Sequence, residues 1–231
     1  MVKVVLYIEG GGERGQAAKD LPIQMRRAFK KFLSKAGIPE GRFLVVRCGS
    51  RNQAYHDFCK ALSGVSGTHD VPLLLVDSES EVSANNAWAH LKQRDDWDQP
   101  SGSEDQHAHL MVQCMENWFL ADKQAVANYY GNGFQQSALP NTQPIEHAIK
   151  KDLLDGLANA SRNTTKKEYS KGNHAFSILE RLDPKKVMQS SPWACRLLVT
   201  LEEILNVPKR NREWTCTPVR LGIHPPNATA A

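Results

Sequence analysis

Residues 71–79, VPLLLVDSE, decide how this chain reads. The run 71–76 is apolar without alternation, as expected of a strand covered on both faces, and it ends in Asp77-Ser78-Glu79. The N-terminal run 2–8, VKVVLYI, is rich in β-branched residues, has strand length, and leads through Glu9 into the turn 10–15, GGGERG. Residues 20–35, DLPIQMRRAFKKFLSK, set Met25, Phe29, Phe32 and Leu33 in an apolar stripe with lysines and arginines outside it. That is helical spacing. Gly37 and Pro39 stop this helix, 42–47 (RFLVVR) reads as a second strand, and 52–62 and 82–92 read as further helices. The alternation of strand and helix predicts an α/β fold, a parallel sheet flanked by helices.

Residues 93–106, QRDDWDQPSGSEDQ, are polar and rich in turn residues, and predict a mobile loop. Residues 109–114 (HLMVQC) predict a fourth strand and 115–130 a helical stretch. From 131 the pattern changes: GNGFQQSALPNTQP reads as a linker, followed by helical stretches near 145–158, 175–182 and 192–205 and no clear strand. The expected organisation is a core of about four strands over 1–130, a C-terminal helical annex over 131–220 packed on it, and a flexible tail over 221–231.

Composition narrows the class. With 41% hydrophobic and 23% charged residues in 231, the chain is neither collagen-like, a simple coiled coil nor wholly disordered. No run approaches the roughly 18 apolar residues of a membrane span, and the N-terminus lacks the long apolar region of a secretory signal. The five cysteines are scattered without a C-x-x-C pair, which argues against a disulfide framework or a zinc ribbon. A soluble, cytoplasmic protein with no membrane attachment is expected. The net charge of +4 hides segregation: residues 1–69 carry a net +7, residues 70–122 a net −9 and residues 150–213 a net +5. Either carboxylates gather a divalent cation while flanking cations hold a polyanion, or these are simply solvated faces.

Three groups of residues could carry chemistry. Residues 10–15 match G-x-G-x-x-G between a strand and a helix. Against dinucleotide binding stand Glu9, which would repel a pyrophosphate, and the second strand's end in Arg47-Cys48, where an acid would normally take a ribose hydroxyl, although an arginine there suits a 2′-phosphate and keeps an NADP-binding oxidoreductase as a third alternative. Asp77 and Glu79 lie at the carboxyl end of a parallel strand, where ligands bind in such sheets, and an extended chain would turn both to one side. If the strands ending in Glu9 and Asp77 are neighbours, three carboxylates converge and need a cation to neutralise them. Hard oxygen ligands suit Mg²⁺ or Mn²⁺. The alternative makes Asp77 a helix N-cap and Glu79 a first-turn acid. The third group is the basic run 166–174, KKEYSKGNH. Lys171 and His174 are candidates for transition-state charge stabilisation, Lys167 and Tyr169 for holding a nucleic-acid backbone, and Arg14 could also reach a phosphate. His107, His109 and Cys114 lack a fourth ligand for zinc.

Glu-Gly after the first strand and an acidic pair after the third resemble the Toprim domain of topoisomerases, primases and overcoming-lysogenization-defect nucleases. YIEGGGERG, LLLVDSESEV, HLMVQCMENWFLAD and KKEYSKGNHAFSILERLDPKKV together resemble the Toprim-like DUF4276 family over roughly residues 3–205. The resemblance implies that Glu9 is a general acid/base or metal contact and that Asp77 and Glu79 are the metal-binding pair. Glu79 stands where many Toprim domains have aspartate. Glu116 and Asp122 are the acids of the third string; six residues apart, they fall on different helix faces, and Glu116 is the better metal candidate because it sits among Met115, Trp118 and Phe119. The implied function is a Mg²⁺- or Mn²⁺-dependent nuclease of bacterial anti-phage or anti-plasmid defence. Its expected partners are a nucleic-acid substrate and an ATPase protein, with homo-oligomerisation left open. The alternative is a non-catalytic, Toprim-like or nucleic-acid-binding subunit of such a system.

Overall fold

The computed structural model describes residues 2–10, 17–64 and 70–207. Strands β1 (Lys3–Ile8), β2 (Phe43–Arg47), β3 (Asp70–Asp77) and β4 (Ala108–Met111) form one sheet in the order β2-β1-β3-β4. Every pairing is parallel, with Leu6 opposite Val45 on one side and Leu73 on the other. Helices α1 (Ala17–Lys35), α2 (Arg51–Ser63) and α3 (Ala87–Asp95) follow the first three strands in turn. The chain is therefore α/β, with the central strands carrying Glu9 and Asp77 at adjacent ends of one sheet edge.

The period of two in the strands divides the interior into two cores. Val4, Leu6, Ile8, Leu73 and Leu75 face α1, where they meet Met25, Phe29, Phe32 and Leu33. Leu74, Val76, Ala108 and Leu110 face the other way, onto Phe58 of α2 and Trp88 and Leu91 of α3. Both faces of β3 are thus dry, which is why its sequence does not alternate. Each fully buried leucine or phenylalanine here contributes about 1.5–3 kcal/mol relative to exposure.

Helices α4 (Lys123–Tyr130), α5 (Lys150–Ser161), α6 (Lys171–Leu179), α7 (Pro184–Ser190) and α8 (Pro192–Ile204) complete the described residues, with no strand among them beyond Met111. Val126, Leu153, Ile178 and Leu198 join the α1-side core, so the C-terminal helices and the sheet share one interior. The tail 221–231 and the last part of the expected annex lie outside the described residues. No helix is long and apolar enough to cross a membrane. Cys48, Cys59 and Cys114 are free thiols, whereas Cys195 is disulfide-bonded, which its isolated spacing did not suggest.

Several boundaries differ from expectation for identifiable reasons. The third helix begins at Ala87 rather than near 82, because the Asn86 side chain caps it by accepting from the Ala89 N–H at 2.8 Å. Residues 115–122 form 3-10 turns, and the α-helix begins only at Lys123. The segment 93–106, expected to be mobile, is pinned. Trp97 is buried and stacks on Tyr55 at 4.5 Å, and Trp88 Nε1 donates to the Glu104 carbonyl at 3.0 Å. The unanticipated α7 starts at Asp183-Pro184, where Asp183 accepts from the Lys185 N–H and proline takes the first turn.

Candidate metal centre

Glu9, Asp77 and Glu79 come together at the carboxyl edge of β1 and β3, with one carboxylate oxygen from each lying within 4.8 Å of the other two. Strand pairing supplies the first two: β1 and β3 are neighbours, and each acid follows or ends its strand. The Asp77 N–H points at Glu9 Oε1, 3.4 Å away. A Cβ at Gly10 would land on the Arg47 side chain, whose Nε donates to the Gly10 carbonyl at 2.8 Å, so a larger residue there would have to displace that arginine.

Glu79 reaches the cluster by a different route from the one expected. The chain is not extended there: Glu79 has a left-handed backbone, φ 65°, and its N–H donates to the Gln113 carbonyl at 2.8 Å. A left-handed glutamate is uncommon and costs conformational energy. The helix-cap alternative also fails, because α3 starts eight residues after Glu79 and is capped by Asn86. Asp77 instead accepts from the Met115 N–H at 2.9 Å through Oδ1.

Cations surround the acids. Lys150 Nζ lies 2.6 Å from Glu79 Oε2 and 3.8 Å from Asp77 Oδ2. Lys171, the first residue of α6, places Nζ 3.3 Å from Asp77 Oδ2 and 3.6 Å from Glu116 Oε2. Arg51 reaches Glu9 Oε2 at 3.2 Å, the Asp77 carbonyl, and both oxygens of Asp95 at 2.7 and 2.9 Å, and it stacks on Trp97. Behind the cluster, Glu116 is wholly buried; Oε1 accepts from the Tyr169 hydroxyl at 2.8 Å, while Oε2 has no hydrogen-bond partner.

The electrostatics follow from this crowding. Burial lifts the Asp77 carboxyl well above its ordinary range; Lys171 pulls it back, and Glu9 and Glu116 push it further up. Glu79 is also lifted by burial, but its hydrogen bond and attraction to Lys150 leave it below the ordinary value. Burial would neutralise Lys171, yet Asp77 and Glu116 hold its ammonium charged. Glu9, Asp77, Glu79, Glu116 and Asp95 face Arg51, Lys150, Lys171 and Arg94, five acids against four cations, with Arg51 shared between Glu9 and Asp95.

The structure sorts the other expected residues. Lys171 stands at the acids, as anticipated, and Glu116 adjoins them through Lys171 and Tyr169. His174 does not. Its Nδ1 lies 2.9 Å from the Tyr130 hydroxyl, in a pocket walled by Tyr129 and Tyr169, and burial holds it below its ordinary value. It is a neutral core histidine rather than a catalytic group. Tyr169 is buried with its hydroxyl committed to Glu116, so it cannot lie along a nucleic-acid backbone. Lys167 is exposed, on the loop before α6, and remains available to a backbone. Asp122 pairs with Lys186 at 2.6 Å, away from the cluster. Arg14 lies outside the described residues. His109 binds Gln106 and Arg196 instead of a metal group with His107 and Cys114.

Arg51 and Lys150 went unrecognised in the sequence. Arg51 follows Gly49-Ser50 at the carboxyl end of β2, and the rule that ligands bind at that sheet edge could have drawn attention to it. Lys150 opens a helix about 70 residues downstream of Glu79, and no local signal marks it.

No curated protein and no solved structure matches the chain. The model of one family, described as a domain of unknown function (DUF4276), matches residues 9–202. With that match spanning most of the chain, from the Glu9 turn to the last helix, the protein belongs to the DUF4276 family.

Proposed function

We propose that this protein is a Mg²⁺- or Mn²⁺-dependent phosphoryl-transfer enzyme, and specifically a nuclease. The observation that carries the reading is the convergence of Glu9, Asp77 and Glu79 at the carboxyl edge of a parallel sheet, ringed by Arg51, Lys150 and Lys171. All-oxygen donors of this kind fit a hard divalent cation, and the crowding that lifts Asp77 is the strain such a cation would relieve. Bound there, it would act as a Lewis acid on a phosphoryl oxygen and lower the pKa of a water.

The protein's own groups would do the rest. Asp77 and Glu79 hold the ligand positions, and Arg51 holds Glu9 on the cluster, where its carboxylate can accept a proton from attacking water. Lys171 and Lys150, released from the acids, would grip the non-bridging oxygens and offset charge developing on the leaving oxygen. Because Lys171 stays charged, we assign it to electrostatic stabilisation and proton transfer to Glu9. The resemblance to Toprim nucleases supports a role in bacterial defence against phage or plasmids, with an ATPase partner delivering substrate or the trigger.

A second reading draws on one observation: Lys150 and Lys171 already balance most of the acidic charge without a metal. Such a site suits a non-catalytic, nucleic-acid-binding subunit. Cleavage of plasmid DNA and total RNA with Mn²⁺ or Mg²⁺, wild type beside Glu9→Ala and Asp77→Ala, separates the two. The enzyme cuts and both variants fail. Absence of cutting by wild type, with no thermal stabilisation by Mn²⁺, selects the second reading.

A further inference from the structure

The carboxylates share their cleft with apolar side chains. The cleft has a volume of about 310 Å³ and is lined by Glu9, Arg51, Asp77 and Lys171 and by a wall of apolar side chains. Leu21, Met25 and Phe29 come from α1, Met111 and Met115 from the end of β4 and the turn after it, and Phe176 from α6. A cleft built only to hold phosphates would not need this wall, because a phosphate gains nothing from apolar contact and would lose hydration there.

We propose that the apolar wall receives a single nucleobase, so that the ligand is an unpaired nucleotide with its phosphate at the acids. This rests on the phosphoryl-transfer reading and narrows its substrate class. The ligand must combine an anionic head, held by Arg51 and Lys171 around a cation, with a flat apolar body. A nucleotide has both. Phe176, half-buried, presents the accessible ring, with the buried Leu21, Met25, Phe29, Met111 and Met115 behind it; such a ring suits the π-face of a base, which stacks without regard to sequence. The six wall side chains carry no hydrogen-bonding group, so they offer nothing that reads a base edge. A base inside a duplex is stacked and cannot enter such a pocket unless it is flipped out. Single-stranded ends, loops and free nucleotides therefore fit, and intact duplex does not.

The test is calorimetric titration of the Mn²⁺-loaded protein with uridine 5′-monophosphate, ribose 5-phosphate and decyl phosphate. Stabilisation of the protein by Mn²⁺ is first checked by thermal unfolding. The nucleotide is expected to bind about tenfold or more tightly than ribose 5-phosphate. Phe176→Ala, at a half-buried position, should close most of that gap, and Phe176→Tyr should keep it. Equal binding of the two sugar phosphates, or no binding of the nucleotide to protein that does take up Mn²⁺, overturns the base pocket and leaves the metal site standing. Decyl phosphate binding as tightly as the nucleotide reassigns the wall to an acyl chain and likewise overturns it. Failure to bind Mn²⁺ removes the metal reading and this inference with it.

Discussion

Asp122 and Glu146 are nearly as buried as Asp77, at 6%, 7% and 2% exposure, yet they are arranged quite differently. Asp122 accepts from Lys186 at 2.6 Å and from the Asp183 N–H at 3.1 Å, tying down the start of α7. Glu146 accepts from the Ser191 hydroxyl and from the Trp193 N–H at 3.1 Å, tying down the start of α8. Each has its own donors, and among the described residues neither belongs to a group of three acids that converge on one point. At the sheet edge, five acids compete for four cations, one residue is held left-handed, and Glu116 Oε2 is left without a hydrogen bond. Burial of a carboxylate is therefore no sign of chemistry by itself. Convergence of several on one cleft is the sign, because repulsion among them has to be relieved by something they bind.

Substitutions should separate the two regions. The largest effect belongs to Asp77→Asn, which we expect to lower Mn²⁺ affinity by on the order of a hundredfold or more. Asparagine keeps the acceptor for the Met115 N–H and removes a repelled charge, so metal-free thermal stability should stay level or rise. A clear drop in metal-free stability would show Asp77 to be a structural acid like Glu146. Next, Glu146→Ala should cost about 2–3 kcal/mol of stability, from two lost hydrogen bonds and a poorly started α8, measured by urea unfolding. It should leave the response to Mn²⁺ intact. Third, Lys150→Met removes the ammonium that shares Glu79, so metal-free stability should fall slightly while Mn²⁺ affinity rises roughly tenfold, or about 1.4 kcal/mol. Weaker metal binding would mean that Lys150 positions Glu79 rather than competing for it.

The smallest expected effect concerns pH and lies outside the acidic region. His109 is wholly buried and held well below its ordinary value, by burial first and by Arg196 second. Because its folded value is depressed, the unfolded chain takes up the proton first. The stability it contributes is complete above about pH 6.5 and is lost as pH falls below that, by at most ~1.4 kcal/mol per pH unit. His109→Gln should flatten that part of the stability profile. An unchanged slope would show that His109 titrates alike in both states.

Much of this architecture was legible because it rests on period and position. The unbroken apolar run of β3 announced a strand dry on both faces, whereas the shared edge of Glu9 and Asp77 was conditional until the sheet order made β1 and β3 neighbours. Side chains brought in from afar were less visible. Lys150 and Arg51 reach the acids through tertiary packing, which leaves no periodic trace. His174 was misjudged because 166–174 looked like one basic loop. In fact α6 begins at Lys171, so the helix carries Lys171 out to the cleft and turns His174 inward among tyrosines. Glu79 was expected on an extended chain, and its left-handed turn depends on the Gln113 carbonyl, 34 residues further along.

If the convergent acids hold a divalent cation, the isolated ones should not. Titration calorimetry of Mn²⁺ into wild type, Glu9→Gln, Asp77→Asn and Glu79→Gln, with Asp122→Asn and Glu146→Gln as folded controls, tests this most directly. Saturable binding is expected in wild type and both controls, and abolished or strongly weakened binding in the three cluster variants. Undiminished binding in those variants, or none in wild type, would contradict a metal site at the convergent acids.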